Sequence, residues 1–245
     1  MINQIIQGDC LQVMRDIKSE SIDMILCDLP YGVTQNKKDI ALDSHKLWAQ
    51  YKRIIKPKGN IVLTSQFPYT LELISSNKKW FRYDLIWDKV LTSGFLNANR
   101  QPLRVHEHIL IFYNKLGTYN PQKTIGEKNH SKGTPHETRN RNYGEFEWSE
   151  TDHGNLKYPT SIISFRKPHP SIARHPTEKP IELFEWLIET YSNEGDLGLD
   201  NCIGSGTTAE ACINTNRNFI GIELDEGYHK IAVDRVKSMI VGIKQ

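Results

Sequence analysis

Apolar residues along this chain come in short runs separated by stripes at helical spacing. Residues 2–6 form a run that closes on Gly8-Asp9-Cys10, after which Leu11, Met14 and Ile17 recur at helical intervals. The run at 22–27 reads as a buried strand and stops abruptly at Asp28-Leu29-Pro30-Tyr31-Gly32. Leu47, Trp48, Tyr51, Ile54 and Ile55 make the apolar face of a helix closed by Lys56-Pro57-Lys58-Gly59, and the next strand follows at 61–63. A helix over 67–76, strands over 83–87 and 105–112, a helix through Leu183, Leu187 and Tyr191, and strands at 197–199 and 219–222 around a helix carrying Ala209 and Cys212 complete the pattern. Such alternation predicts an α/β fold with a doubly wound, mostly parallel sheet. Between 114 and 174 the periodicity fails over a stretch too long for a simple connector. The expected organisation is a domain in two halves, 1–113 and 175–245, interrupted by an insertion at 114–174.

Charge sharpens the reading of that insertion. The whole chain carries only +2, whereas 114–174 holds ten Lys and Arg against six acids, which makes it locally +4 and the remainder about −2. Its cations are interleaved with Tyr119, Tyr143, Phe146, Trp148 and Tyr158, a mixture suited to phosphates and stacked bases; a merely solvated insertion is the alternative. No stretch approaches the roughly 20 apolar residues of a membrane span, and no export signal leads the chain, so a cytoplasmic location is expected. Cys10, Cys27, Cys202 and Cys212 form no C-x-x-C pair and read as buried thiols. His106 and His108 share one face of a strand without further ligands nearby, so hydrogen bonding rather than a metal is expected there.

Candidate chemistry gathers at the carboxyl ends of the strands, where open α/β sheets hold ligands. Asp28 offers acceptor oxygens, Pro30 leaves the Leu29 carbonyl outside any continuing ladder, and Tyr31 offers a flat face. Two acceptors beside a ring suit a planar amino group such as that of a nucleobase. Residues 33–43 are polar and form a loop beside this point that could close over a substrate. Asp9 stands at a strand-to-helix corner, as a cap or a ligand acceptor. Lys179 precedes Pro180 at a helix start, where the dipole disfavours a cation, so an anionic ligand is expected for it, with a solvated lysine as the alternative. Asp200-Asn201-Cys202-Ile203-Gly204-Ser205-Gly206-Thr207-Thr208 is a glycine turn opening a helix, and Glu223 ends a strand about 20 residues on, a spacing suited to ribose hydroxyls. The turn lacks the third glycine of the dinucleotide fingerprint and the lysine of a phosphate loop, which tells against NAD, FAD and nucleoside triphosphates.

These motifs resemble those of the β-group S-adenosylmethionine-dependent DNA amino-methyltransferases. Asp28-Leu29-Pro30-Tyr31 resembles the family's D-P-P-Y, Asp200 to Thr208 its D-P-F-x-G-S-G-T-T, His175 to Pro180 its H-P-T-x-K-P, and residues 219–223 its ribose-binding strand. The order, catalytic motif first and cofactor motif last, is that of the β group. The resemblance implies a Rossmann-like methyltransferase fold, S-adenosyl-L-methionine as cofactor, double-stranded DNA as substrate and 114–174 as much of a target-recognition region. It further implies that Asp28, Leu29, Pro30 and Tyr31 hold a flipped base. Asp9, Thr177, Lys179, Asp200, Gly204, Ser205, Gly206, Thr207 and Glu223 would line the cofactor pocket, with Lys179 and Thr207 near the methionine carboxylate. The chain departs from the family at Leu29, which stands for a proline, and at Asn201-Cys202, which stand for Pro-Phe. An acid at position 28, where cytosine-directed members usually carry serine, favours adenine. A homodimer is compatible with the resemblance, and a cognate restriction enzyme is left open.

Overall fold

The computed structural model describes residues 2–31, 42–127, 139–140, 144–145, 155–167 and 178–243. The strands are β1 (Gln4–Gln7), β2 (Ile22–Cys27), β3 (Ile55–Ser65), β4 (Phe81–Ser93), β5 (Arg104–Phe112), β6 (Thr124–Ile125), β7 (Arg139–Asn140), β8 (Gly144–Glu145), β9 (Leu156–Lys157), β10 (Ile162–Ser164), β11 (Leu197–Asp200) and β12 (Asn218–Glu223). The helices are α1 (Cys10–Val13), α2 (Ser44–Ile54), α3 (Tyr69–Ser76), α4 (Ile181–Tyr191), α5 (Thr207–Asn214) and α6 (Glu226–Ile243).

Eight strands make one sheet in the order β1-β12-β11-β2-β3-β5-β4-β10. From β1 to β3 every pairing is parallel, while β5 runs antiparallel to both β3 and β4. The sheet is therefore mostly parallel, as the alternation predicted. β2 lies at its centre, and its side chains pack alternately into two cores. Ile25 and Cys27 join Leu47, Trp48, Tyr51 and Leu73 from α2 and α3, whereas Met24 and Leu26 join Leu183, Leu187, Ala209 and Val236 from α4, α5 and α6. Burial on both faces is the reason this strand is almost wholly apolar. The helix after β2 covers one face and the helix after β11 covers the other, so the crevice between these two neighbouring strands is the topological switch point of the sheet.

Three local features depart from the expected elements. β3 begins at Ile55, before Lys56-Pro57-Lys58-Gly59, rather than at 61. β10 lies within the aperiodic stretch yet pairs with β4 in the main sheet, Ile163 opposite Trp87; its Ile162-Ile163-Ser164 is too short for a period to register. The amphipathic α6, beyond the last element read from the sequence, packs Val236 into the second core and buries Ala232 beside Gly206.

Residues 121–160 form a separate compact unit. Its described parts are two short antiparallel ladders, β6 with β9 and β7 with β8, and Lys123 sits 4.4 Å from the centre of the Tyr158 ring. The loop expected at 33–43 lies, save for residues 42 and 43, outside the described residues. Tyr143, Phe146, Trp148 and residues 168–177 lie outside them too.

Candidate active site at the switch point

Asp28 follows the last residue of β2, and its carboxylate collects three donors. Tyr31 Oη (2.8 Å) and Thr64 Oγ1 reach Oδ1, and Lys179 Nζ reaches Oδ2 at 2.7 Å. Thr64 comes from β3, so the neighbouring strand holds the acid from the side. Leu29 is buried and anchors the turn in the first core, and the Tyr31 ring packs on Tyr69 at 5.3 Å. Burial, and then the negative charge of Asp28, push the Tyr31 phenol well above its usual range, so it remains a donor at neutral pH.

Lys179 precedes Pro180, the N-cap of α4. Its anionic partners are side chains of the protein rather than the expected ligand, and it is not solvated: Asp28 stands on one side and Glu107 Oε2, 3.3 Å away, on the other. Glu107, from β5, also pairs with Lys89 of β4 at 3.3 Å. Two cations and two acids thus alternate, with the Lys89, Glu107 and Lys179 side chains each less than a tenth exposed and Asp28 a quarter exposed. Burial works to lower the lysine's pKa, but the Asp28 and Glu107 carboxylates outweigh it, and Lys179 is held protonated above its ordinary range. Neither Lys89 nor Glu107 stood out in the sequence, because a charge within a strand shows no sign of its partner one or two strands away.

One strand over, Asp200 ends β11. It is 3% exposed and accepts from Thr208 Oγ1 and from the Cys202 backbone N–H at 3.0 Å. Burial raises its carboxyl to about 6. Beyond it the chain turns through Gly204 at φ +55° and Gly206 at φ +89°, both in the left-handed region where a side chain is strained. A Cβ at Gly204 would meet nothing within 4 Å, so the turn is bordered by open space; one at Gly206 would stand 3.1 Å from the Ala232 backbone. Glu223, at the end of β12, receives the Gly204 N–H at 2.8 Å on one oxygen and the Asp225 N–H at 2.9 Å on the other. Two lone-pair positions remain on such a carboxylate for further donors. Asp9 caps α1, its Oδ1 taking the Leu11 and Gln12 amides.

Ser205 and Thr207 are tied to a residue that the sequence reading passed over. The buried Arg235 guanidinium of α6 reaches the Ser205 carbonyl at 3.2 Å and Thr207 Oγ1 at 3.1 Å, and pairs with Glu178 at 2.9 Å and with Glu210. It thereby links the glycine turn to the segment that carries Lys179. The substituted pair beside the turn is accommodated by a hydroxyl: Tyr51 Oη donates to Asn201 Oδ1, so the buried amide has a partner where an apolar ring would have needed none.

The structure thus brings Asp28, Leu29, Pro30, Tyr31 and Lys179 to one side of the crevice. It places Asp200, Gly204, Ser205, Gly206, Thr207 and Glu223 along the other, with Asp9 at the end of β1 beside β12. Thr177 lies outside the described residues. His108 hydrogen-bonds Asp84 at 3.0 Å, and no group of three metal-ligating side chains occurs among the described residues. Cys10, Cys27 and Cys212 are buried free thiols, and burial pushes the Cys27 thiol up to about 12. No helix among the described residues is long and apolar enough to cross a membrane.

This architecture is that of the Rossmann-like DNA methyltransferases. The crystal structure of the M1.HpyAVI–SAM complex superposes with a TM-score of 0.62 at 23% identity, covering 95% of this chain and 98% of that one. The cytosine-N4-specific PvuII DNA methyltransferase superposes with a TM-score of 0.66 at 16% identity, covering 95% and 85%. The chain belongs to the N6/N4 DNA methylase family, whose pattern matches residues 22–234. Among curated relatives, the type II methyltransferase M.HpaI of Haemophilus parainfluenzae is 28% identical, over 99% of this chain and 76% of its own. The DNA adenine methyltransferase YhdJ of Escherichia coli is 27% identical, over 95% and 82%.

Proposed function

We propose that this DNA methyltransferase transfers the methyl group of S-adenosyl-L-methionine to the exocyclic N6 of an adenine turned out of the duplex. The observation that carries the reading is the placement of Asp28, an acid at the carboxyl end of the central strand, one strand from a glycine turn bordered by open space. The residues at that turn fit the cofactor. The left-handed glycines leave room for close approach, Glu223 keeps acceptor capacity for ribose hydroxyls, and Asp9, Ser205 and Thr207 border the same edge. Bound there, the cofactor supplies a sulfonium-activated methyl group.

Asp28 and the Leu29 carbonyl accept the two N–H groups of the base amine. This draws the nitrogen lone pair out of conjugation with the ring and orients it for attack. A cofactor held along Gly204, Ser205, Thr207 and Glu223 would supply that methyl group as an electrophile and leave as the neutral thioether, keeping the electron pair of the bond that breaks. The amine becomes positive, and the Asp28 carboxylate stabilises that charge and accepts the proton it sheds. Lys179 and Thr64 hold the carboxylate in place from behind, and Tyr31 stacks on the extruded base, offsetting part of the cost of leaving the helix. Segment 114–174 is the target-recognition region, flanked by the catalytic half at 1–113 and the cofactor half at 175–245.

The acid at position 28 favours adenine, and YhdJ, named for adenine methylation, is among the relatives. The test is incubation with labelled S-adenosylmethionine and unmethylated DNA, digestion to nucleosides and mass spectrometry. N6-methyladenine is expected, and N4-methylcytosine would keep the mechanism but overturn the choice of base. Asp28→Ala should lower turnover by about 10²- to 10³-fold, the cost of removing one group that stabilises developing charge, while cofactor binding persists. Full turnover in that variant would sink the assignment of Asp28.

A further inference from the structure

The connection from β4 to β5 carries a feature that the proposed mechanism leaves unused. β5 is antiparallel to β3, with His108 opposite Ser65, so the end of β4 and the start of β5 emerge at the same edge of the sheet as Asp28. The ladder between them is regular from Tyr83 opposite Ile111 to Asp88 opposite His106, then shifts register before Ser93 opposite Arg104. Within that shift Val90 holds φ +61°, a conformation rare for a β-branched residue, and its N–H is fixed by Asp88 Oδ1 at 2.9 Å. Beyond Gly94, at φ +84°, a single 3-10 turn presents Phe95 at 80% and Leu96 at 97% exposure. Two large apolar side chains placed this openly bury little of themselves in the protein.

The surroundings of the tip say what kind of partner it meets. Residues 89–104 contain Lys89, Arg100 and Arg104 and no acid, and Asn97, Asn99 and Gln101 alternate through the turn. Arg100 and Arg104 are exposed. The base of the hairpin is tied to the site itself, since Lys89 pairs with Glu107, Glu107 with Lys179 and Lys179 with Asp28. A polyanion drawn to the two arginines would therefore lie across the edge where Asp28 waits. A base turned out toward Asp28 leaves a gap in the stack, which apolar side chains can fill.

We propose that the 89–104 hairpin is a duplex-DNA contact in which Phe95 and Leu96 enter the base stack and occupy the space vacated by the target base, while Arg100 and Arg104 hold the flanking phosphates. The proposal rests on the DNA-methylating reading and adds a base-displacing element outside 114–174. It is tested with the double variant Phe95→Ala/Leu96→Ala, whose exposed positions leave folding intact. The wild-type protein first maps its site on unmethylated plasmid DNA, and synthetic duplexes then present that site fully paired or with an abasic position opposite the target.

On the paired duplex the variant should lose at least about tenfold in kcat/KM, because unstacking is no longer offset. On the abasic duplex, where the target base is already loosened, it should remain within about twofold of wild type. Equal activity of variant and wild type on the paired duplex would overturn the wedge and leave the methylase reading standing. An equal loss on both duplexes would also overturn it, by showing general docking instead. Absence of transfer to any DNA by the wild type would overturn the reading and the wedge together.

Discussion

The two acids that end adjacent parallel strands, Asp28 and Asp200, are held in opposite ways. Asp28 is a quarter exposed and has a lysine behind it, and that lysine is shared with Glu107, which in turn is shared with Lys89. Asp200 is almost wholly buried and is held by one hydroxyl and one backbone amide, and its carboxyl is pushed up to about 6. The difference teaches what each half of the crevice requires. An acid that presents acceptor oxygens to a substrate, as proposed for Asp28, needs its orientation held from the far side, and an alternating chain of buried charges does that. A buried acid that is held within a turn can rely on dipoles, and the desolvation it suffers appears as a raised pKa.

The strongest way to break the comparison is Glu107→Gln. It leaves Lys89 without its carboxylate and Lys179 dependent on Asp28 alone, and removing one partner of a buried pair costs about 3–5 kcal/mol. Denaturant unfolding should show that loss, and adding Lys89→Met should recover much of it. An unchanged midpoint would mean that the charges do not depend on one another.

Asp200→Asn sharpens the other side. Folding raises this carboxyl from its ordinary 3.8 to about 6, so the protonated form favours the folded state. That contribution is complete below the ordinary value and is lost as pH rises through about 6. The wild type should therefore lose about 3 kcal/mol relative to the variant across that interval, at 1.36 kcal/mol for each pKa unit. Parallel stability curves for the two proteins would contradict the raised carboxyl.

The smallest expected effect is that of Gly206→Ala. Its left-handed backbone and the close Ala232 backbone should cost about 1–2 kcal/mol, read as a lowered melting temperature. No loss would show that the turn relaxes without its glycine.

Much of the candidate site was legible because turn chemistry is local. An apolar run ending at Asp28-Leu29-Pro30-Tyr31, and another ending in a glycine turn, announce strand ends whatever the rest of the chain does. Asp9 was read as either a cap or a ligand acceptor, and the structure shows the cap. Arg235 was not legible: a lone arginine in an amphipathic helix looks solvent-facing until Glu178, Glu210 and the glycine turn are folded around it.

By itself, then, the sequence determined most of the strands and helices outside the aperiodic stretch, their order and the chemistry at their ends, since periodicity and turn residues act over a few positions. Only the tertiary structure decided that β5 would run antiparallel between β3 and β4, that β10 would join the same sheet, and that Lys89, Glu107, Lys179 and Asp28 would meet. Strand neighbours are selected by burying both sheet faces at once. A buried ion network forms only when that selection brings opposite charges from distant segments together, and no short stretch of sequence carries that information.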